Sequence, residues 1–459
     1  MRDTPKAFSF CKEIHRKPEL LYLIIATVFC IVFTVIFTPW NSVDGPTHFM
    51  ASYRFSNILM GLPEWSVRGN DQIAVCAKPD GTIEETFRFY ELFCKDSSIT
   101  DDANTFKYMN FYSAFNYIPF IAAITIGRLL NLGIIPIAYL GRVLSAIFYI
   151  LLFYHAIKTT PFGKHIFAFV SMFPMTLHII TSYTYDSAVL AVVFNYFSCL
   201  FRLKDRDSLK KDRYLFELLF WCIALGLIKG GSFAGLLMLL LILIDRKKST
   251  KENMAVILLI VSGLASILCS NILFNPSEEF FQFHPANPDN LDFSLIYKNP
   301  GQYLRLWINT VKEYSFPWLF EAIGTNAGYW QIFVQQSLPF AILLLIPTLV
   351  AGYLGRSDET FKPGKKLLIT ALIVTLVYLY ITPATVLRDN PVTNTEINYC
   401  TGRYFLPFYP LILSLILSLF SKPKQNTQRE WVIPCCYAVY AVLMGFIAFT
   451  FKEAFFYGC

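Results

Sequence analysis

The residues able to do chemistry in this chain are few and sit at the edges of long apolar runs. The first group, Asn41-Ser-Val-Asp44-Gly45-Pro46-Thr-His48, follows the first such run. A carboxylate at the mouth of a membrane helix, held by a Gly-Pro turn, can act as a general base beside the bilayer. The same residues also suit a helix cap, with Asp44 at the N-cap and Pro46 in the first turn. His48 falls one turn later, and a solitary histidine reads first as a packing or hydrogen-bonding residue. Asp186, in Ser182-Tyr-Thr-Tyr-Asp186-Ser, marks the junction of two apolar runs. It is either a second site carboxylate or a cap for the helix that follows. Lys229, in Lys229-Gly230-Gly231, separates two short apolar runs, where a cation needs an anionic partner unless it snorkels to the interface. A phosphate or Asp186 would serve.

The last group, Asn398-Tyr399-Cys400-Thr401-Gly402-Arg403-Tyr404-Phe405-Leu406-Pro407, opens a late apolar run. The guanidinium of Arg403 presents a planar donor fork suited to phosphate oxygens, and Tyr404 and Phe405 can pack on an isoprenoid chain or a sugar face. Arg and Tyr are equally at home as interfacial anchors. Glu321, preceded by Ser-Phe-Pro-Trp-Leu-Phe, is a further polar group under aromatic cover, whereas Arg388 and Asp389 read as a solvated pair.

The elements that must position these residues are membrane helices. The 459 residues are 55% hydrophobic and 15% charged, with mean hydropathy +0.47. Soluble domains carry about a quarter charged residues, so a soluble enzyme is excluded. Apolar segments predict eleven crossings, near 20–39, 136–157, 165–184, 187–201, 214–229, 232–245, 254–274, 333–355, 366–382, 404–420 and 431–451, in one all-α domain over 1–459. Leu20 to Trp40 follows a basic segment like a signal peptide, but it is too long and Thr-Pro-Trp is no small-residue cleavage site. It reads as a retained first helix.

Of the 39 Lys and Arg, 24 fall in six short segments on one side of this scheme: 1–19, 158–164, 202–213, 246–251, 356–366 and 422–429. Short basic loops face the cytoplasm, which places the amino terminus inside. The polar segments 40–135, 275–332 and 383–403 then lie outside. Tyr117 to Pro136 contains Arg128 and Asn131 and reads as an amphipathic helix in the outer interface. Counting it as a twelfth span would turn every later basic loop outward. The runs 214–229 and 232–245 look like a hairpin broken within the membrane, tolerated where the backbone lines a cavity.

Eleven cysteines show no CxxC pair and no metal-site spacing, and several lie in apolar runs as small hydrophobes. Cys76 and Cys94 share the first outer loop, where they are either bridged or free thiols. With 10 acidic and 6 basic residues between 40 and 112, that loop is no nucleic-acid surface.

The order of these parts resembles the GT-C superfamily of polytopic glycosyltransferases: a first helix, an acidic motif (Val43-Asp44-Gly-Pro-Thr-His48), an interfacial helix, then Gly141-Arg142-Val-Leu-Ser145 opening a span. More narrowly it resembles the bacterial membrane family known as domain of unknown function 2142 and the serotype-converting O-antigen glucosyltransferases. Their acidic-Pro-His, Ser-x-x-x-Asp, Lys-Gly and Gly-Arg-Tyr-Phe-x-Pro elements correspond here to Asp44–His48, Ser182–Asp186, Lys229–Gly231 and Gly402–Pro407. The 275–332 segment lacks the family's Gly-Trp-Leu-Asp pattern.

The resemblance implies transfer of a sugar, glucose in the nearest case, from undecaprenyl phosphate to an extracytoplasmic acceptor such as lipid-linked O-antigen at the bacterial inner membrane. Arg403 and Lys229 would balance the donor phosphate and Asp44 would deprotonate the acceptor hydroxyl in an inverting single displacement. His48, Asp186, Tyr404 and Glu321 would support or bind the acceptor, and Asp186 would hold a divalent metal if one is used. Beyond the lipid-linked donor no cofactor is implied. A transporter or flippase of lipid-linked glycans and an O-antigen polymerase are the competing classes. A transporter's paired repeats with matching broken helices are not evident, since only one break is seen.

Overall fold

A computed structural model describes residues 17–39, 44–64, 66–68, 113–206, 212–245, 249–273, 289–327, 332–333, 337–359, 361–423 and 429–457. The described chain is helical apart from a two-residue antiparallel ladder, Asn326–Ala327 against Ile332–Phe333, and an isolated bridge. The helices are α1 (Pro18–Ile36), α2 (Gly45–Leu59), α3 (Ile118–Leu129, entered through a 3-10 turn at Ala114–Tyr117), α4 (Ile134–Thr159), α5 (Lys164–Ser171), α6 (Pro174–Ile180), α7 (Asp186–Arg206) and α8 (Asp212–Leu227). After a 3-10 helix at Ala234–Leu243 come α9 (Thr250–Leu273), α10 (Pro300–Ile323), α11 (Ser337–Gly355), α12 (Lys365–Ile381), α13 (Tyr409–Ser418) and α14 (Arg429–Tyr457). A further single turn of helix covers Leu295–Lys298.

Among the described residues eight helices are long and apolar enough to cross a bilayer: Pro18–Ile36, Ile134–Thr159, Asp186–Asp205, Arg213–Gly231, Thr250–Ser270, Leu338–Gly355, Lys365–Asp389 and Glu430–Glu453. The three other expected spans are helical but short or broken. Residues 165–184 form α5 and α6 because Pro174 has no N–H to continue the ladder, and the chain restarts with it in the first turn. Residues 404–420 begin as two 3-10 turns around Pro407 before α13. Residues 232–245 wind as the ten-residue Ala234–Leu243 3-10 helix, whose rise of about 2.0 Å per residue lets a short segment reach further than an α-helix of equal length.

α7 is buried along its whole span and forms the axis of the bundle, packed between α4 and α8. Its surroundings are apolar and aromatic, with Phe194 against Phe153 and Phe167, and Phe197 stacked near Phe201. Outward faces such as Ile31, Val35, Leu258, Leu268, Leu372 and Phe446 are exposed and apolar, as lipid contact requires.

The described parts of the expected basic segments 158–164, 356–366 and 422–429 meet at one end of the bundle. Glu359 accepts the Gly163 N–H (2.6 Å) and its carbonyl accepts the Lys422 ammonium, while Arg356 donates to the carbonyls of Leu417 and Phe420 and Lys366 to that of Ile244 (2.7 Å). The expected interfacial segment at 117–136 is α3, which ends in a turn before α4 begins at Ile134. It packs on α2 beside the opposite end, with Thr125 bonded to Ser56 (3.0 Å) and Arg128 to Asn57 (2.7 Å). Within the 275–332 segment the sequence gives no warning of the 24-residue α10. Its mixed polarity, with Arg305, Lys312 and Glu313 exposed, is unlike a span's.

Candidate functional site

Three ionisable groups far apart in sequence meet at the end of the bundle opposite the basic loops. The Asp186 carboxylate, at the first residue of α7, lies 3.8 Å from Lys229 Nζ and 3.5 Å from Arg403 Nε. All three side chains are largely buried, 11 to 17% exposed. Each distance exceeds a good hydrogen bond, and Arg403 Nε is buried without a hydrogen-bond partner. Two cations to one carboxylate, loosely held, leave net positive charge and unused donors.

Aromatic rings enclose the cluster. The Lys229 ammonium lies 4.1 Å from the centroid of Tyr404 and 4.7 Å from that of Tyr185, and the Arg403 guanidinium is 5.4 Å from Tyr404. Such contacts stabilise cations by roughly 0.5–2 kcal/mol, more when desolvated. His48 packs edge-on against Tyr185 at 4.7 Å, and its Nδ1 is 3.0 Å from the Tyr117 hydroxyl. Burial drives the His48 imidazole down to about 3, opposed by Asp186 and reinforced by Arg403 and Lys229. It is therefore neutral near pH 7, and a hydrogen-bonding role suits it.

The backbone that delivers these groups is specialised. Lys229 (φ 43°), Gly230 (φ 60°) and Gly231 (φ 82°) are consecutive left-handed residues. For a lysine this costs of order 1 kcal/mol or more. Asn116 helps hold the break, its Oδ1 accepting the Lys229 N–H (3.0 Å). This is the broken hairpin that Lys-Gly-Gly predicts.

Arg403 is delivered by a splint. One face of α10 bonds the approaching strand residue by residue: Asn309 to the Thr395 carbonyl (2.9 Å), Thr310 to the Ile397 N–H (2.7 Å), Tyr314 to Asn398 (2.6 Å), Trp318 to the Cys400 carbonyl (2.8 Å) and Glu321 to the Gly402 N–H (2.6 Å). Gly402 has no alternative, since a Cβ there would stand 1.9 Å from the Trp318 carbonyl oxygen. Burial raises the Glu321 carboxyl above its ordinary range, against the pull of the Gly402 N–H and Arg403.

Asp44 occupies the N-cap of α2 but does not cap it. Its backbone is left-handed (φ 59°) and its side chain makes no capping bond, which corrects the cap reading. The carboxylate is exposed one turn before His48 and within electrostatic range of Asp389. Among the described residues no ion pair joins it to Lys229 or Arg403. Asp186 likewise makes no plain cap, because the cations engage it, and Lys229 is held inward instead of snorkelling. Arg388 pairs with Asp292 (3.5 Å) rather than with its neighbour. Cys76 and Cys94 lie outside the described residues.

Tyr185, Tyr117 and Asn116 escaped the sequence reading. In the sequence Tyr185 is marked only by adjacency to Asp186, and nothing in Ala114-Phe-Asn116-Tyr117 signals a contact 113 residues away. In the sequence Arg142 is only one residue of Gly141-Arg142-Val-Leu-Ser145. Fully buried, it donates to the carbonyls of Phe33, Thr34 and Phe37 at the end of α1 and of Thr181 after α6. There it satisfies carbonyls at the end of α1 and just past α6, although that of Phe33 also accepts the Phe37 N–H (3.0 Å). His178, buried on α6 against Phe37 at 4.5 Å, has an unpaired Nδ1.

Fold and site together define a polytopic helical membrane protein with a buried, cation-rich aromatic cluster at one end. Residues 27–412 match the family of predicted membrane proteins designated DUF2142, and the chain belongs to that family. No curated protein and no solved structure matches it.

Proposed function

We propose that the protein is a GT-C-type membrane glycosyltransferase that moves a sugar, glucose in the nearest resemblance, from a polyprenyl-phosphate carrier to an extracytoplasmic glycan such as lipid-linked O-antigen. The observation that carries this reading is the Asp186–Lys229–Arg403 cluster, whose surplus positive charge and unpaired guanidinium Nε suit one phosphate at a membrane boundary. Its aromatic walls suit the adjoining sugar or isoprenoid carbons. Placement of the basic loops at the other end supports a periplasmic site in an inner membrane, with the amino terminus cytoplasmic.

In this reading Arg403 and Lys229 bind the donor phosphate and stabilise the charge that grows on its oxygen as the glycosidic C–O bond breaks. Asp44 accepts the proton of the acceptor hydroxyl as that oxygen bonds the anomeric carbon from the opposite face. The products are the inverted glycoside and polyprenyl phosphate. Its freedom from capping leaves the carboxylate available for this. Asp186 holds the two cations in place, His48 and Tyr404 line the sugar's approach, and Glu321 sets Arg403 through Gly402.

The test is to incubate detergent-purified protein with polyprenyl-phospho-glucose and lipid-linked glycan acceptors. A single added hexose is expected, and Asp44→Asn should lower its rate about 10²–10⁴-fold, the share a general base contributes, with unchanged membrane abundance. A ladder of products would identify a polymerase. Absence of product from every donor and acceptor, with lipid-linked glycan moved across vesicles instead, would identify a transporter.

A further inference from the structure

A second polar cluster lies toward the basic end, one to three turns inside the ends of three helices. It comprises His155 on α4, Asn195 and Arg202 on α7, and Glu217 on α8. Asn195 Nδ2 donates to the carbonyls of Leu152 (3.0 Å) and Ala191 (2.8 Å), which fixes its Oδ1 as the atom 2.9 Å from His155 Nδ1. The Nδ1 of His155 must therefore carry a proton, and in the neutral ring the lone pair is on Nε2. That lone pair faces Glu217 Oε1 at 3.8 Å, while Arg202 takes Oε2. In that tautomer two acceptors face each other.

Three facts narrow what belongs there. Glu217 repels an anion, and the Arg202 guanidinium is already engaged by it. One imidazole and one carboxylate fall short of a metal's ligand set, and among the described residues no group of three His, Cys, Asp or Glu could hold one. The imidazole is 43% exposed and lies about one turn from the end of α4, one of the helices long and apolar enough to cross a bilayer. Around it stand the exposed apolar side chains of Leu151 and Phe216 and the exposed ammonium of Lys158.

We infer that His155 and Glu217 bind the primary ammonium of a lipid headgroup, as in a phosphatidylethanolamine, in the leaflet at the basic end. One N–H goes to His155 Nε2 and one to Glu217 Oε1, and Lys158, one helical turn from His155, faces the lipid phosphate. A nitrogen about 2.8 Å from each acceptor wants them about 4.6 Å apart for a tetrahedral angle, so the exposed imidazole moves by about an ångström. The inference is independent of sugar transfer.

The full-length protein is delipidated in detergent, placed in nanodiscs of phosphatidylcholine with or without phosphatidylethanolamine, and its retained lipid counted by native mass spectrometry. One phosphatidylethanolamine should be retained about tenfold more than phosphatidylcholine, whose quaternary nitrogen has no N–H, and His155→Phe should abolish that preference while leaving the Arg202–Glu217 pair. His155→Lys, which brings its own ammonium to Glu217, should also lose lipid retention but keep the melting temperature. Equal retention of both lipids, no retention (a solvent-filled gap), or persistence of the preference in His155→Phe overturns the proposal. So does soluble ethanolamine that displaces the lipid fully at millimolar concentration, which would make the ligand a free amine.

Discussion

Arg142 and Arg403 are both buried guanidinium groups near the same end of the bundle, yet they are used in opposite ways. Arg142 gives its donors to four backbone carbonyls and so ties α1 and α6 together. Arg403 is held by its backbone, through Gly402 and Glu321, while its Nε finds no hydrogen bond and its carboxylate partner stays 3.5 Å away. The basic end repeats the first pattern, with Arg356 spent on the carbonyls of Leu417 and Phe420. A buried cation whose donors go to backbone carbonyls holds a fold; one whose backbone is fixed while its Nε finds no hydrogen bond is set for a ligand.

This contrast is breakable. Gly402→Ala should have the largest effect on the site, because the added Cβ meets the Trp318 carbonyl and must displace the strand that delivers Arg403. Transfer should fall to background while thermal unfolding in detergent shifts modestly; a fully active variant would dissolve the splint argument. Arg142→Met should cost about 3–5 kcal/mol, since it strands several buried carbonyls at roughly 1–3 kcal/mol each, seen as lost folded protein in size-exclusion profiles. Arg403→Lys should leave folding intact and lower kcat/KM about ten- to hundredfold, since an ammonium cannot offer the planar fork. If Arg403→Lys unfolds the protein and Arg142→Met does not, the two roles are reversed.

The smallest effect concerns Glu359 at the basic end. Burial pushes its carboxyl up to about 7, against the Gly163 N–H, Arg356 and Lys422. A folded-state value raised above the unfolded one means that the native state binds the extra proton. Its stabilising contribution is therefore complete below about pH 4.5 and is lost as pH rises through 7. The melting temperature should drift down across that interval, and Glu359→Gln should flatten the drift.

The sequence disclosed the site's members better than its architecture. Asp186, Lys229 and Arg403, the three that meet, were legible because ionisable residues beside apolar runs are costly and few, so each calls for a reason. The Lys-Gly-Gly break was legible because glycine pairs favour left-handed backbone. The count of spans was less so. Hydropathy reads composition and not hydrogen bonding, so it cannot distinguish the continuous α4 from the Pro174-broken α5–α6 or the 3-10 helix at Ala234–Leu243.

What the chain determined alone is the apolar spans, the segregation of Lys and Arg into short loops, and the positions where charge is tolerated at a membrane boundary. These are local matters of transfer free energy. Only the tertiary structure decided that Asp186, Lys229 and Arg403 meet, that α10 splints residues 395–402, and that Arg142 is spent while Arg403 is not. Those outcomes depend on which distant carbonyls and carboxylates come within hydrogen-bonding reach, and a cation's type and neighbours carry no record of that.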